Sequence, residues 1–404
     1  MIADRTWKTR CVVVDEGMPA NYVGTLIRGR TGLVVDSALA EHRDRLLDGG
    51  LNGAPVLELD ARPVSFATLM VVSDFTRAHG LETVVALGGG SILDAVKLSA
   101  LFSSDPCIAE YTARHAKRSG LIVIPFGTEP NERHRTILMP STVGTGAEVS
   151  AVACLDTDVG RHLIASPHLT GGLAVLDAAH FATLPRTLVF EGLLEALLRV
   201  AGTMIGSRPS TFDDDAISLL VRIVRLGHRF THEDTLELRL AASRLSMETH
   251  TGWSLIARNP YGAKHWYVAN ELAYLTGTRK MTATATVIGP IWDEIDKGSS
   301  AWGIPHRLAE LWSAVAQVDP SLGHAAGPGI KEMMRRWGIR GLDELGEQTA
   351  VETANLAATR WGRGLPMLRG LDEGKILHVL RKAMVMKQAL PRPEGHRRAA
   401  RERG

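Results

Sequence analysis

Cysteine is scarce in this chain, with three residues in 404. Cys11, Cys107 and Cys154 are odd in number and far apart, which excludes a disulfide framework and the spacing of a zinc knuckle. A reducing, cytoplasmic setting follows. Long apolar runs are also missing: no window approaches the roughly 18 uninterrupted apolar residues of a membrane span. The first ten residues, MIADRTWKTR, have neither the apolar core nor the cleavage site of a signal peptide. Charge of one sign is not in excess. A net charge of +2 and a pI of about 8.5 argue against nucleic acid as a partner. The one basic concentration, PRPEGHRRAARERG (391–404), is expected to be a solvated, disordered tail. Internal repeats and low-complexity stretches are absent as well.

What is present is enough apolar sequence, 45%, for a large core and about two domains. The first half alternates short β-branched runs with helical stretches. TGLVVDS (31–37), PVLELD (55–60), ETVVALGGG (82–90), LIVIPFG (121–127) and TILMPST (136–142) read as strands. Between them ALAEHRDRLLDG, SFATLMVVSDFTRAHG and SILDAVKLSALFS read as helices. That alternation predicts a parallel sheet covered on both faces. After LDAAHFATLP (176–185) helical spacing takes over, as in TLVFEGLLEALLRVAGTMIG and DDAISLLVRIVRLGHRF. Pro185 is a natural boundary, because the residue before a proline is pushed away from helix. The expected organisation is an α/β dinucleotide-binding domain at 1–185 with a Rossmann-like sheet. An all-helical catalytic domain at 186–390 and the tail at 391–404 follow it.

One strand runs straight into Gly88-Gly89-Gly90-Ser91 with a helix behind it. Glycines let the backbone approach a phosphate, and a helix N-terminus offers unpaired N–H groups to an anion. Ser91 is expected also to cap that helix. The bland alternative is a strand–helix turn that is merely closely packed. Some fifty residues on stands a second segment, Pro140-Ser141-Thr142-Val143-Gly144-Thr145-Gly146-Ala147-Glu148-Val149-Ser150.

Together GGGSILDAVK (88–97) and PSTVGTGAEVS (140–150) resemble the paired signatures of the iron-containing (group III) alcohol dehydrogenase family. LPRTLVFEGLLEAL (184–197) and RRWGIRGLDELG (335–346) add to the likeness. It implies the dehydroquinate synthase-like fold, an α/β domain followed by a helical one, and usually a dimer. The glycines lead into Ser91-Ile92-Leu93-Asp94, which fits the alcohol dehydrogenase branch better than dehydroquinate synthase. By resemblance, Gly88, Gly89, Gly90 and Ser91 cradle a pyrophosphate, and Asp94 accepts a hydrogen bond on the nicotinamide side. Ser141, Thr142 and Thr145 belong to the segment lining the cofactor from the opposite wall. Asp36 stands where an acid would hold the adenosine ribose and repel a 2′-phosphate, favouring NAD over NADP; it could equally cap the next helix.

The family's metal, iron or zinc, is held by an Asp and three His, and polarises the substrate oxygen. Here the acid becomes Glu195. Four residues on, where a histidine is usual, stands Arg199, on the same helix face as Glu195. His265 matches the next histidine. The one after it falls at Asn270, or at Ala269 in another register, and the last at Lys280 or Met281. A guanidinium cannot ligate a metal, and two cations beside a dication are unfavourable. The single histidines His228, His232 and His250 are poor substitutes, so no catalytic Fe or Zn is expected.

Two meanings remain open. In one, Arg199 or Lys280 binds a substrate carboxylate or stabilises an alkoxide, and His265, or Lys280 in deprotonated form, relays the proton. In the other, Glu195–Arg199 is only a structural bridge. The leading functional expectation is an NAD-dependent oxidoreductase that interconverts a hydroxyl and a carbonyl on an anionic small molecule or peptide. Oxidation of a β-hydroxy acid would open the way to decarboxylation, as in peptide or natural-product tailoring. A non-catalytic NAD-binding partner and an NAD-using cyclase or lyase are the alternatives.

Overall fold

The structure, a computed structural model, describes residues 9–14, 20–128 and 134–388; the basic segment after Pro391 lies outside them. The first half runs β1 (Arg10–Val14), β2 (Thr31–Asp36), α1 (Ala40–Asp48), β3 (Val56–Leu59), α2 (Phe66–Ala78), β4 (Thr83–Gly88), α3 (Gly90–Ser104) and α4 (Cys107–Ala116). It continues with β5 (Leu121–Val123), β6 (Arg135–Pro140), β7 (Val152–Thr157), β8 (Gly160–Ala165) and β9 (Leu173–Asp177). Six strands form one parallel sheet in the order β1-β9-β6-β4-β2-β3. Successive side chains of a strand point to opposite faces, and both faces here are buried. Val34, Val84, Ala86 and Leu138 join Leu69 and Val72 of α2 and Leu93 of α3. Leu33, Val35, Val85 and Leu87 join Leu46 of α1 on the other side. Near-continuous β-branched and apolar strands follow from that double burial.

One strand expected in this sheet sits elsewhere. β5 contributes only Leu121–Val123 and pairs parallel with β8, which in turn pairs antiparallel with β7. The three make a separate sheet. The β7–β8 hairpin closes through Asp158 and Val159, with Thr157 opposite Gly160. Local pattern identifies a strand but not its partner, so β5 reads the same in either sheet.

The second half consists of α5 (Arg186–Ile205), α6 (Asp213–His232), α7 (Leu236–Thr251), α8 (His265–Thr276), α9 (Lys280–Asp296), α10 (Pro305–Val318), α11 (Ala326–Arg336), α12 (Glu347–Trp361) and α13 (Glu373–Gln388), with short 3-10 turns between some of them. α5 is apolar nearly all round and is buried nearly all round, as such helices must be. Its cluster also takes in Val143, Leu176 and Phe181 from the first half.

This topology positions the site. The chain leaves β2 towards β3 at one side and leaves β4 towards β6 at the other. The crevice between the carboxyl ends of β2 and β4 is therefore a topological switch point, where open α/β sheets bind ligands. Val35 pairs with Leu87, and Gly88 with Pro140. One row beyond the first pair stand Asp36 and the triple glycine, with the Pro140 segment alongside.

Candidate cofactor cleft and catalytic site

At the end of β4, bare backbone is enforced by contact. A Cβ on Gly88 would lie 2.7 Å from Cβ of Ile92, in the first turn of α3. Gly89 takes the N-cap position of α3, with no side-chain cap bond and no acidic residue in the first turn. Ser91 is thus not the expected cap; it lies inside the helix, because the chain turns helical one residue earlier, at Gly90. The uncapped first turn leaves N–H groups for an anion.

The 140–150 segment closes over this turn. The Ser141 amide donates to the Gly88 carbonyl at 2.9 Å. Cβ positions on Gly89 and Gly90 would lie 3.2 Å from Cγ2 of Thr142 and 3.0 Å from Cγ2 of Thr145, so the two threonines stand directly opposite the two glycines. Asp36, at the lip of β2, accepts from the Ala38 amide at 3.1 Å. It caps the short turn that follows, and a ribose contact would have to share the carboxylate with that role.

Asp94 lies in α3, behind the glycine turn. Its Oδ2 accepts from the Cys154 amide at 2.9 Å, and its Oδ1 lies 3.1 Å from Nζ of Lys97. The residue is 8% exposed; Oδ2 is taken by the Cys154 amide, while Oδ1 has the Lys97 charge beside it but no hydrogen bond among the described residues. Burial raises its pKa, while Lys97, the Cys154 amide and the charge of Lys280 oppose the rise. Lys97 was not singled out from the sequence. Its ammonium also donates to the Ser150 and Val152 carbonyls at 3.3 and 3.1 Å, tying the far end of the loop to α3.

Arg199 ties the near end. Its Nη2 donates to the Gly144 carbonyl at 2.6 Å and to the Thr145 carbonyl at 3.3 Å, and its Nη1 donates to Thr249 Oγ1 at 2.8 Å. Glu195 Oε1 is 3.5 Å away. Ser246 accepts from the Gly144 amide at 3.1 Å, and His250 Nε2 lies 3.2 Å from the Thr145 carbonyl. Gly144, at φ +108°, lets this loop touch α5: a Cβ there would lie 2.5 Å from Cα of Gly192. Ser246, Thr249 and His250 form a three-residue latch on α7 that sequence spacing alone does not reveal, since its partners are a backbone amide, the Arg199 guanidinium and a backbone carbonyl, each fifty or more residues away.

Across the cleft, Lys280 opens α9 and holds its ammonium 4.6 Å from the ring centre of Trp266, a cation–π contact. Its charge is felt by Asp94 and Cys154 in the dinucleotide half and by His265 in the helical half. Cys154 is pushed up to about 11, mainly by burial. His265, 3% exposed, is held down at about 3 by burial and then by Lys280. It stays neutral at ordinary pH, and its Nε2 has no hydrogen-bond partner among the described residues. Trp266, one residue on, was missed. It shares a helix face with Asn270 at i, i+4, whereas His265 pairs in that sense with Ala269. Asn270 is buried, donates from Nδ2 to the Arg161 carbonyl at 3.3 Å, and leaves Oδ1 unpartnered.

A family profile described as iron-containing alcohol dehydrogenase matches residues 25–178. Over that stretch the chain is distantly similar to the iron-containing alcohol dehydrogenases. The sulfoacetaldehyde reductase of Bilophila wadsworthia is 28% identical over 202 residues, covering 46% of this chain and 49% of that protein. Long-chain-alcohol dehydrogenase 1 of Geobacillus thermodenitrificans is 24% identical over 175 residues, 42% of this chain and 39% of the other. These alignments span half or less of either relative's length. In fold the likeness extends over nearly the whole chain. The aldehyde reductase YqhD of E. coli superposes with a TM-score of 0.73 at 16% identity, covering 94% of this chain and 99% of that one. The NADH-dependent butanol dehydrogenase A of Thermotoga maritima gives 0.71 at 15%, covering 94% and 98%.

The alcohol dehydrogenase metal does not fit the residues present. Among the described residues, no group of three or more His, Cys, Asp or Glu side chains converges as a metal would need. Of the residues that the resemblance sets against ligands, Glu195 faces Arg199, His265 is buried in neutral form, Asn270 (or Ala269) lies in α8 with Asn270 bonded to β8, and Lys280 (or Met281) opens α9, Lys280 bringing a positive charge. Two cations in such a pocket oppose a dication.

Proposed function

We propose that this chain is an oxidoreductase that uses NAD, in preference to NADP, to interconvert a hydroxyl and a carbonyl on a carboxylate-bearing substrate without a divalent metal. One observation carries the reading. A glycine turn at a sheet switch point is braced by a second loop, and the charge of Lys280 reaches Asp94 in the helix behind that turn. The bound nicotinamide supplies hydride exchange. The chain's own groups do the rest.

The uncapped amides of α3 hold the pyrophosphate, with Thr142 and Thr145 opposite. Asp36 faces the adenosine ribose and opposes a 2′-phosphate by like charge. Lys280 stabilises the oxyanion that develops as the hydroxyl loses its proton, or pairs with the substrate carboxylate, in a pocket where burial strengthens both. His265, neutral and with a bare Nε2, is assigned the proton relay: it accepts the substrate hydroxyl's hydrogen bond as the proton leaves, and burial and Lys280 oppose its keeping that proton. Arg199 has its bonds on the 144–145 backbone, so its part is to hold the loop. We place the division between the cofactor-holding and helical parts after Pro185.

Titration calorimetry with NAD and with NADP, together with elemental analysis of protein purified without added metal, tests the proposal. NAD binding with at least about tenfold preference and no stoichiometric metal are expected. One tightly held Fe or Zn per chain would overturn the metal-free part. NAD binding without any change in nicotinamide absorbance across hydroxy acids and keto acids would move the reading to a non-catalytic NAD-binding partner. Product formation with no net change in that absorbance would move it to an NAD-using cyclase or lyase.

A further inference from the structure

On the outer surface of the helical half, α6 and α7 enclose a groove of about 500 Å³ whose rim carries four arginines. Arg222, Arg225 and Arg229 recur along α6 at i, i+3 and i+7, and Arg244 projects from α7. At 1.5 Å per residue the α6 row is on the order of 10 Å long. The floor between the rows is apolar, built from Leu226, Leu245 and Met247.

The charges in this groove are not balanced from within. Arg222 makes a two-pronged pair with Glu248, at 2.5 and 2.8 Å, and Arg229 pairs with Glu233. Among the described residues, Arg225 and Arg244 have no carboxylate within ion-pair distance; both are exposed. The Arg222–Glu248 pair shows what such a rim accepts, a carboxylate held by both arms of a guanidinium.

We propose that this groove docks an acidic polypeptide segment whose apolar side chains settle on the floor. A lone phosphate or carboxylate reaches one or two guanidinium groups of a row this long and leaves the apolar floor uncovered. A segment alternating acidic and apolar residues meets both. The groove lies on the outer face of α7, while Ser246, Thr249 and His250 of the same helix hold the cofactor loop. Docking is independent of the dehydrogenase reading, because it requires neither NAD nor turnover.

The test is fluorescence anisotropy of the full chain with a short fluorescein-labelled peptide of alternating glutamate and leucine. Saturable binding that weakens with added salt is expected. The Arg225→Glu, Arg244→Glu double variant should bind at least about tenfold more weakly while melting at the wild-type temperature. A matching lysine–leucine peptide should not bind. No binding by the wild type, or equal binding by the double variant, overturns the proposal. So does displacement of the peptide by inorganic phosphate at equal concentration, which would mark a small-anion site. A change in the solution mass of the double variant would mark a contact between copies of the chain and overturn it equally.

Discussion

Arg199 and Lys280 are both cations, yet they carry different kinds of load. Arg199, its side chain 12% exposed, fastens its fork to the Gly144 and Thr145 carbonyls and to Thr249. Its loss strands several acceptors, and each unsatisfied buried group costs about 1–3 kcal/mol. Arg199→Ala should therefore raise the KM for NAD by about tenfold or more and lower the midpoint of urea unfolding. Free guanidinium should restore part of the NAD affinity. An unchanged KM would remove Arg199 from loop positioning. Lys280 bonds to nothing comparably rigid and sits over Trp266. Lys280→Met keeps the packing and removes the charge, so kcat should fall by about 10²–10³, the loss typical of one oxyanion donor, with NAD affinity retained. Steady-state kinetics at saturating NAD decide it, and a kcat within twofold of wild type would exclude Lys280 from the chemistry. Both cations were singled out in the sequence, because they interrupt the ligand pattern that the resemblance implies. The carbonyl partners of Arg199 were not, because backbone acceptors leave no mark on residue type. Nor was Trp266 legible, because a shift of one position in a helix moves the site from one face to another.

At the scale of elements, the small β5-β8-β7 sheet is held against α8 and α12 by a buried polar knot. Arg360 Nη1 donates to Glu271 Oε2 at 2.8 Å, Trp361 Nε1 donates to Glu271 Oε1 at 2.6 Å, and Arg360 Nη2 lies 3.2 Å from the His162 ring nitrogens. His162 is held at about 4, by burial and then by the Arg360 charge. An unfolded histidine titrates near 6.5. Below that pH the unfolded chain binds a proton that the native state refuses, so this residue's contribution to stability is full above about 6.5 and is lost as pH falls towards 4. The slope is at most about 1.4 kcal/mol per pH unit. His162→Gln keeps a hydrogen-bonding side chain without the titration. Urea unfolding at pH 7 and 5 should show the wild type losing about 2 kcal/mol more than the variant over that interval; parallel losses would remove His162 as the cause. Elements such as β2, β4 and α3 were readable from apolar runs and the glycine turn. The partner of β5 was not, because pairing is fixed by β8, which reads as a strand only once its hairpin with β7 is formed.

For the molecule as a whole, the sequence marks a change of character at Pro185, and α5 begins immediately after it, at Arg186. The packing does not divide there. Val143, Leu176 and Phe181 of the first half belong to the same apolar cluster as α5 and the helices around it, and Arg199 crosses from α5 to the cofactor loop. A ligand that binds only the native state stabilises it by about 2.7 kcal/mol at a hundred times its Kd. Where core and latch are shared, that stabilisation cannot be confined to one half. Differential scanning calorimetry should therefore show one unfolding transition that NAD moves upward intact, and prior treatment with a chelator should leave it in place. Two transitions, with NAD moving only the lower or the upper, would mean that the shared cluster fails to couple the halves. A fall in the midpoint after chelation would mean that the cations of the old metal pocket had been misjudged. The two failures are separable, because the first concerns the Val143–α5 packing and the second only the residues around Glu195, His265 and Lys280.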